Sequence, residues 1–434
     1  MRSTGLNLPA GLRLRQRWDQ QVFGNFELSR IFDRNKSSRV MTAPRLLILS
    51  VSAGSGHVRA AQAIEAQARL SFPAMQVQHL DVMQCVPLAF RKIYTDWYMA
   101  LASRLPEAWG WLYRKTDCPS EGRHRPGWLD TTRKLLQQIC TRRMLADIAQ
   151  FAPHAILCTH FLPAEILANH KRLGRLSCPL WVQVTDFDLH QMWVHEGISG
   201  YFVANEELAY RLQAQGVPRA HLVVAGIPVM PDFTAPLSRR ACAKYFGLDP
   251  ERTTILMMGG GGGIGNMAAL AHRLLKLDAN SQLIIMAGKN QALLTALQSM
   301  AALFPQRLLA IGFTSEVPAL MACADIAITK PGGLSTSECL VMGLPMVLVN
   351  PIPGQEERNA GFLLQEGVAV RADDAATLTY RLQRLLADPL QRQTMRTRAL
   401  ALAKPKAATE VLQILSQAMS AHQKTIKTTM KTIC

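Results

Sequence analysis

With 434 residues, 49% hydrophobic and 18% charged, the chain is long enough for two hydrophobic cores and too apolar to be a disordered polymer. A formal net charge of +17 asks for an anionic partner, which charge alone leaves open between nucleic acid, anionic lipid and a phosphorylated substrate. No run approaches the roughly 18 apolar residues of a spanning helix, and the nine cysteines never fall in the C-x-x-C spacing of a zinc or redox pair, so they read as reduced thiols.

Met1 to Val40 is rich in arginine (positions 2, 13, 15, 17, 30, 34 and 39) and lacks the apolar stretch of a secretory signal. It reads as a flexible basic arm, residues 1–40, with Met41 as an alternative start of translation. From Arg45 onward short apolar runs alternate with helical stretches, the pattern of parallel sheets wrapped by helices. Strands are expected at Arg45–Ser52, Met75–Val82, His154–Thr159, Leu180–Thr185, Tyr201–Ala204 and His221–Ala225. The Pro-containing stretch Gly226–Leu237 then marks a linker. A second series follows at Thr253–Met258, Leu283–Ala287, Leu308–Ile311, Ile326–Thr329 and Met346–Val349, and the basic end after Ala421 reads as a loose tail. The expected fold class is α/β, with two Rossmann-like domains, 41–230 and 231–420, whose parallel sheets face a central cleft, and a tail over 421–434.

Each half opens with strand, glycine loop and helix. In the first, Gly54 and Gly56 precede His57; in the second, Gly259, Gly260, Gly261, Gly262 and Gly263 follow a strand. Successive glycines let backbone N–H groups approach a diphosphate, and the helix N-terminus adds favourable partial charge. A dinucleotide site or a plain tight turn are the simpler readings. The region Ser281–Lys289 carries no acidic residue to bind a ribose in the dehydrogenase manner.

The segment Thr329–Asn359 is the most specific. A strand ends at Lys330-Pro331, Gly332-Gly333 turn tightly, and Ser335–Met342 forms a helix whose N-terminus is placed for phosphate. Glu338 can accept hydrogen bonds from ribose hydroxyls, and Gln355 with Glu356 can do so from a sugar ring; an ordinary capped βα unit is the alternative.

At these residues the sequence resembles the glycosyltransferases that include monogalactosyldiacylglycerol synthases, bacterial processive diacylglycerol glucosyltransferases and, more distantly, the peptidoglycan-precursor N-acetylglucosaminyltransferase. The resemblance runs from about Leu46 to Leu402 and is strongest in the KPGG…SE…GLP…PGQE run. It implies a GT-B fold of the family 28 type. It also implies donor contacts at Gly332, Gly333, Glu338, Gln355 and Glu356, and a uracil-facing loop at Gly312-Phe313-Thr314 that favours a UDP-sugar. Ser335 and the glycine run 259–263 belong to the same expected donor site.

In the first half, Ser52–Ala61 is similar to the family's glycine loop ending in histidine, with serines at 52 and 55 as departures, and Gln183–Asn205 is similar to its acceptor-side segment. Inverting transfer to a hydroxyl needs one base, and a group with pKa near 6.5 can take the proton without permanent charge. The resemblance turns His57, otherwise a surface or capping residue, into that base. Asp186 can orient His57 or bind the acceptor hydroxyl. Asp186-x-Asp188 also matches a metal-binding triplet of another glycosyltransferase fold, but the triplet is too short to define a metal, and backbone N–H groups with a helix dipole can stabilise the leaving diphosphate. No metal ligands and no cofactor are therefore expected, and His190 and His195 read as structural.

Between Val86 and Leu136, Trp97, Trp109, Trp111 and Trp128 stand beside Arg91, Lys92, Arg104, Arg114, Lys115, Arg123 and Arg125. That mixture suits the headgroup region of an anionic bilayer, the alternative being helices packed on the sheet. Relatives place their acceptor-binding insertion here, so residues 86–136 are the expected membrane-docking insertion, with Gly54 and Gly56 on the acceptor side. The expected activity is transfer of a hexose from a UDP-sugar to diacylglycerol or a glycosylated diacylglycerol, by a peripheral protein on the cytoplasmic face of a membrane. The alternatives are UDP-N-acetylglucosamine transfer to a polyprenyl-diphosphate precursor, a UDP-sugar epimerase, or a non-enzymatic basic protein with a degenerate nucleotide site. Nucleic acid is not an expected partner, because aromatic residues make up only 6% and cluster in the insertion.

Overall fold

The structure is a computed structural model that describes residues 43–52, 54–87, 106–117, 142–259 and 267–433. The basic arm 1–40, Arg91, Lys92, Trp97, Trp128 and Gly260 to Gly263 lie outside the described residues.

Two six-stranded sheets, each wholly parallel, account for both halves. The first contains β1 (Arg45–Ser50), β2 (Gln76–Asp81), β3 (Ala155–Cys158), β4 (Leu180–Gln183), β5 (Gly200–Phe202) and β6 (Leu222–Val223), in the order β2-β1-β3-β4-β5-β6. The second contains β7 (Thr253–Met258), β8 (Ser281–Gly288), β9 (Leu308–Gly312), β10 (Ile326–Thr329), β11 (Met346–Val349) and β12 (Ala369–Ala372), in the order β12-β11-β10-β7-β8-β9. Strand β12 escapes a sequence reading, since AVRA is four residues long and half of it is only partly buried. The expected α/β architecture is present.

Helices in chain order are α1 (Ser55–Ser71), α2 (Pro106–Thr116), α3 (142–151), α4 (Phe161–Arg172), α5 (Glu206–Ala214), α6 (Arg239–Tyr245) and α7 (Met267–Leu277). They continue with α8 (Gln291–Leu303), α9 (Val317–Cys323), α10 (Gly333–Met342), α11 (Gln355–Gln365), α12 (Ala375–Ala387), α13 (Pro389–Leu402) and α14 (Ala407–Ile433). The strands are apolar on both faces because helices cover both: Leu46, Leu47, Ile48 and Leu49 of β1 are all fully buried, each contributing roughly 1.5–3 kcal/mol of transfer free energy.

In an open parallel sheet, ligands bind beyond the C-terminal strand edge where the winding reverses. Those points are β1/β3 in the first sheet and β7/β10 in the second. One apolar cluster runs through both halves, joining Val184, Phe187 and Ile227 to Cys339, Leu340 and Ala360.

The expectation of a loose tail after Ala421 is overturned: α14 continues to Ile433. Its residues Ala408, Val411, Leu412, Leu415 and Met419, at helical spacing, pack with Leu46, Ile48, Ala61 and Ile64 of the first half. The chain therefore crosses back, and residues 407–419, expected in the second domain, belong structurally to the first.

Candidate active site

Gly54 sits just before α1 with φ of 112°, a conformation that L side chains rarely adopt, and a Cβ there would meet nothing within 4 Å. The dihedral, not space, demands glycine. Its turn puts His57 in the first helical turn at the β1/β3 edge. The ring Nδ1 lies 2.9 Å from the carbonyl oxygen of Thr159, just after β3, and 2.8 Å from Thr185 Oγ1, just after β4. A carbonyl can only accept, so Nδ1 carries the hydrogen and Nε2 keeps its lone pair. Burial holds the imidazole pKa below its usual value, opposed by the Asp186 charge and the Thr159 hydrogen bond, so the ring is neutral at pH 7. His160 meets His57 edge-on at 4.6 Å between ring centres. Its Nδ1 caps α4 by accepting from the Leu162 N–H, and burial drives its pKa well down, so it stays uncharged beside the His57 ring.

Asp186, expected to orient His57 or to bind the acceptor hydroxyl, acts on the His57 ring through its charge and makes its side-chain hydrogen bonds to the second half. Oδ1 accepts hydrogen bonds from Gln355 Nε2 at 2.7 Å and Asn359 Nδ2 at 3.2 Å, both on α11 of the second half. The residues bonded to the His57 ring are Thr159 and Thr185. Gln355, expected at the donor sugar, has its amide turned to Asp186. The neighbouring Asp188 is paired with Arg211 and Arg358, and Arg358 Nη2 also meets Asp117 Oδ2 at 2.5 Å. His190 donates from Nε2 to the Tyr113 carbonyl at 3.0 Å and accepts at Nδ1 from the Met192 N–H, a structural role. Among the described residues no group of three or more His, Cys, Asp or Glu is placed to hold a metal ion.

Across the cleft, β10 ends at Thr329 and α10 starts at Gly333. The helix is capped by Gly332 with no side-chain hydrogen bond, which leaves its first-turn N–H groups, those of Gly333, Leu334 and Ser335, without a side-chain partner. The chain turns from strand to helix at Gly332-Gly333, as read from the sequence, and neither glycine takes a positive φ. Gly333 is glycine because of close approach: a Cβ there would lie 2.0 Å from the Thr185 carbonyl oxygen. Glu338 is buried on α10, where desolvation raises its carboxyl pKa to about 7, partly opposed by Arg59 of α1. Glu356 accepts from the Ile352 N–H at 2.7 Å, and burial raises its pKa against the pull of that hydrogen bond and Lys330. Phe313, at the end of β9, is 77% exposed, with Lys289 Nζ 5.6 Å from its ring centre. An open aromatic face at that edge can stack on a base. Gly259 closes β7 at the same switch point.

Helix α2 of the insertion leans on the second half. A Cβ on Gly354 would lie 2.5 Å from the Tyr113 ring, and one on Gly110 would lie 2.9 Å from Pro353. Its outer face carries Trp111, 52% exposed, with Lys115 Nζ 4.4 Å above the ring, and exposed Arg114. Trp109 is on the inner, partly covered side. Thr159, His160, Thr185, Asn359 and Arg358 were not singled out by sequence reasoning; each acts through a partner far along the chain, which no local pattern reveals.

Two parallel sheets whose switch points face each other, with a neutral histidine on one side and an uncapped helix N-terminus beside a buried carboxylate on the other, define a two-domain glycosyltransferase of the GT-B kind. Residues 57–229 match the family model for monogalactosyldiacylglycerol synthase, and residues 254–412 match that for the C-terminal domain of glycosyltransferase family 28. A processive diacylglycerol beta-glucosyltransferase of Bacillus subtilis is 27% identical over 80% of this chain and 88% of its own length. That of Bacillus pumilus is 31% identical over 56% of this chain and 63% of its own. The crystal structure of Acinetobacter baumannii MurG superposes with a TM-score of 0.54 at 16% identity, covering 86% of this chain and 99% of that one, a likeness of fold. The first half of the chain thus carries the monogalactosyldiacylglycerol synthase domain and the second half the C-terminal domain of glycosyltransferase family 28, and most of its length is similar to processive diacylglycerol glucosyltransferases.

Proposed function

We propose that this protein transfers a hexose from a UDP-sugar to diacylglycerol or a glycosylated diacylglycerol with inversion at the anomeric carbon. The observation that carries the mechanism is the His57 ring, its Nδ1–H held by Thr159 and Thr185 and its Nε2 left basic. Nε2 takes the proton of the acceptor hydroxyl as that oxygen bonds to the anomeric carbon. The bond from that carbon to the diphosphate breaks on the opposite face, and UDP leaves with the electron pair. The first-turn N–H groups of α10 and the positive end of its dipole receive the charge on the diphosphate, so the reaction needs no metal or other cofactor. Glu338 holds the ribose, Phe313 the uracil, and Glu356 the sugar.

The acceptor is drawn from an anionic membrane surface, on the cytoplasmic side, by the insertion. Support for this lies in the exposed Trp111, Arg114 and Lys115 face of α2 and the overall charge of +17. No helix among the described residues is long and apolar enough to cross a membrane.

The test is incubation of the protein with diacylglycerol in anionic or neutral vesicles and a panel of UDP-sugars, with lipid products identified by mass. A glycosylated diacylglycerol is expected, formed faster on anionic vesicles and slowed by salt, since exposed charges are screened beyond about 10 Å at 0.1 M. His57→Ala is expected to lower turnover by two or more orders of magnitude with UDP affinity little changed. Product from a polyprenyl-diphosphate acceptor alone, or epimerised UDP-sugar, would replace this reading with one of its rivals.

A further inference from the structure

The three residues after Val184 are gripped by the second half of the molecule one after another. The Thr185 carbonyl oxygen lies against Gly333, where even a Cβ would come within 2.0 Å. The Asp186 carboxylate receives Gln355 and Asn359. The Phe187 N–H donates to Asn359 Oδ1 at 2.8 Å, and its ring stacks on Phe362 with centres 5.1 Å apart and planes 9° from parallel. All these partners belong to α10 and α11, the elements that carry the expected donor contacts. On its other side the same segment reaches the base, through Thr185 Oγ1 at 2.8 Å from His57 Nδ1. Thr185 is buried, so its hydroxyl is held by the segment and not by solvent.

The geometry points to Thr185 as a positioning residue that transmits the docking of the donor half to the His57 base. This rests on the reading of His57 as base. The neutral ring shares its Nδ1 hydrogen between Thr159 O and Thr185 Oγ1. When Nε2 takes the acceptor proton the ring becomes cationic, and hydrogen bonds to a charged group are about twice as strong as neutral ones. The Thr185 oxygen therefore strengthens its hold as the reaction proceeds, which lowers the barrier more than it tightens substrate binding. It does so only where α10 and α11 hold Thr185 to Phe187 in place, so the base is best oriented when the donor half is docked. The titratable groups that face the ring are His160, held neutral as the cap of α4, and Asp186, whose charge favours the imidazolium.

The test compares Thr185→Val with Thr185→Ser, with His57→Ala in the same assay. Thr185→Val keeps the shape and removes the oxygen. It is expected to lower kcat on the order of 10- to 100-fold, as for loss of a hydrogen bond to a charged group, while KM for the UDP-sugar moves less than about twofold. Loss of an acceptor at Nδ1 makes the imidazolium less stable, so the acid limb of the kcat profile shifts to lower pH. Thr185→Ser is expected to restore both. If Thr185→Val lost UDP binding altogether, Thr185→Ser against Thr185→Ala would make the same comparison. A kcat within about twofold of the unaltered protein, an unmoved acid limb, or a serine variant as slow as the valine one would overturn the inference. An active His57→Ala would instead overturn the reading of His57 as base, so the two failures are distinguishable.

Discussion

At the scale of single residues, the two sides of the cleft differ in how their charge is held. His57 is kept neutral by burial and made basic at one nitrogen by two oxygens on the other. Glu338 is a carboxyl whose burial lifts its pKa to about 7, so near neutrality it is partly protonated before any ligand arrives. Hydroxyl donors from a ribose favour the carboxylate, so nucleotide binding lowers that pKa and releases a proton. Calorimetry of UDP binding at pH 7 in two buffers of different ionisation enthalpy is expected to give different apparent heats for the unaltered protein and equal ones for Glu338→Gln. Glu338→Ala is expected to weaken UDP binding by roughly 1–3 kcal/mol. Glu338 was legible one turn into a helix opened by a glycine pair, and His57 through the resemblance of its glycine loop to that of a known family. Thr185 was not, because its contact with His57 spans 128 positions, and neither were the hydrogen bonds of Asp186, because its partners Gln355 and Asn359 lie in the other half of the chain.

At the scale of elements, strand and helix order was legible almost throughout, since buried parallel strands read as short apolar runs between glycine turns. The full role of Gly332-Gly333 was not. Their pairing reads as a tight turn between strand and helix, which is there, but Gly333 also answers to a carbonyl arriving from the other half. The two glycines are therefore expected to respond differently to the same change. Gly333→Ala forces a methyl into the Thr185 carbonyl and should cost about 1–3 kcal/mol as overpacking, seen as a lower denaturation midpoint and poorer turnover. Gly332→Ala, whose Cβ would lie 3.6 Å from Glu356 at ordinary contact distance, is expected to stay within about 1 kcal/mol of the unaltered protein. Equal midpoints for the two variants would show that the contact at Gly333 yields freely.

At the scale of the whole molecule, burial sets the response to acid. His57, His79, His154, His160, His170 and His190 all have folded pKa values below the usual 6.5, chiefly through desolvation. A histidine with a lowered folded pKa takes its proton more readily in the unfolded chain. Its contribution to stability is therefore full above about pH 6.5 and is lost as pH falls below that value. Glu338 and Glu356, with raised pKa values, act in the opposite sense and are eased by protonation, but they are fewer. Thermal melts are thus expected to show a lower midpoint at pH 5.5 than at pH 7.5, and an unchanged or higher midpoint at pH 5.5 would mean that these histidines are solvated. The return of α14 to the first sheet has a consequence for how the protein is made. The face of β1 and α1 that it covers is finished by residues 408–419, so a nascent chain carries this apolar surface uncovered until nearly the whole second half has left the ribosome. The first half, although translated before the second, is completed after it, and a chaperone that shields apolar surface has its longest task on that first half.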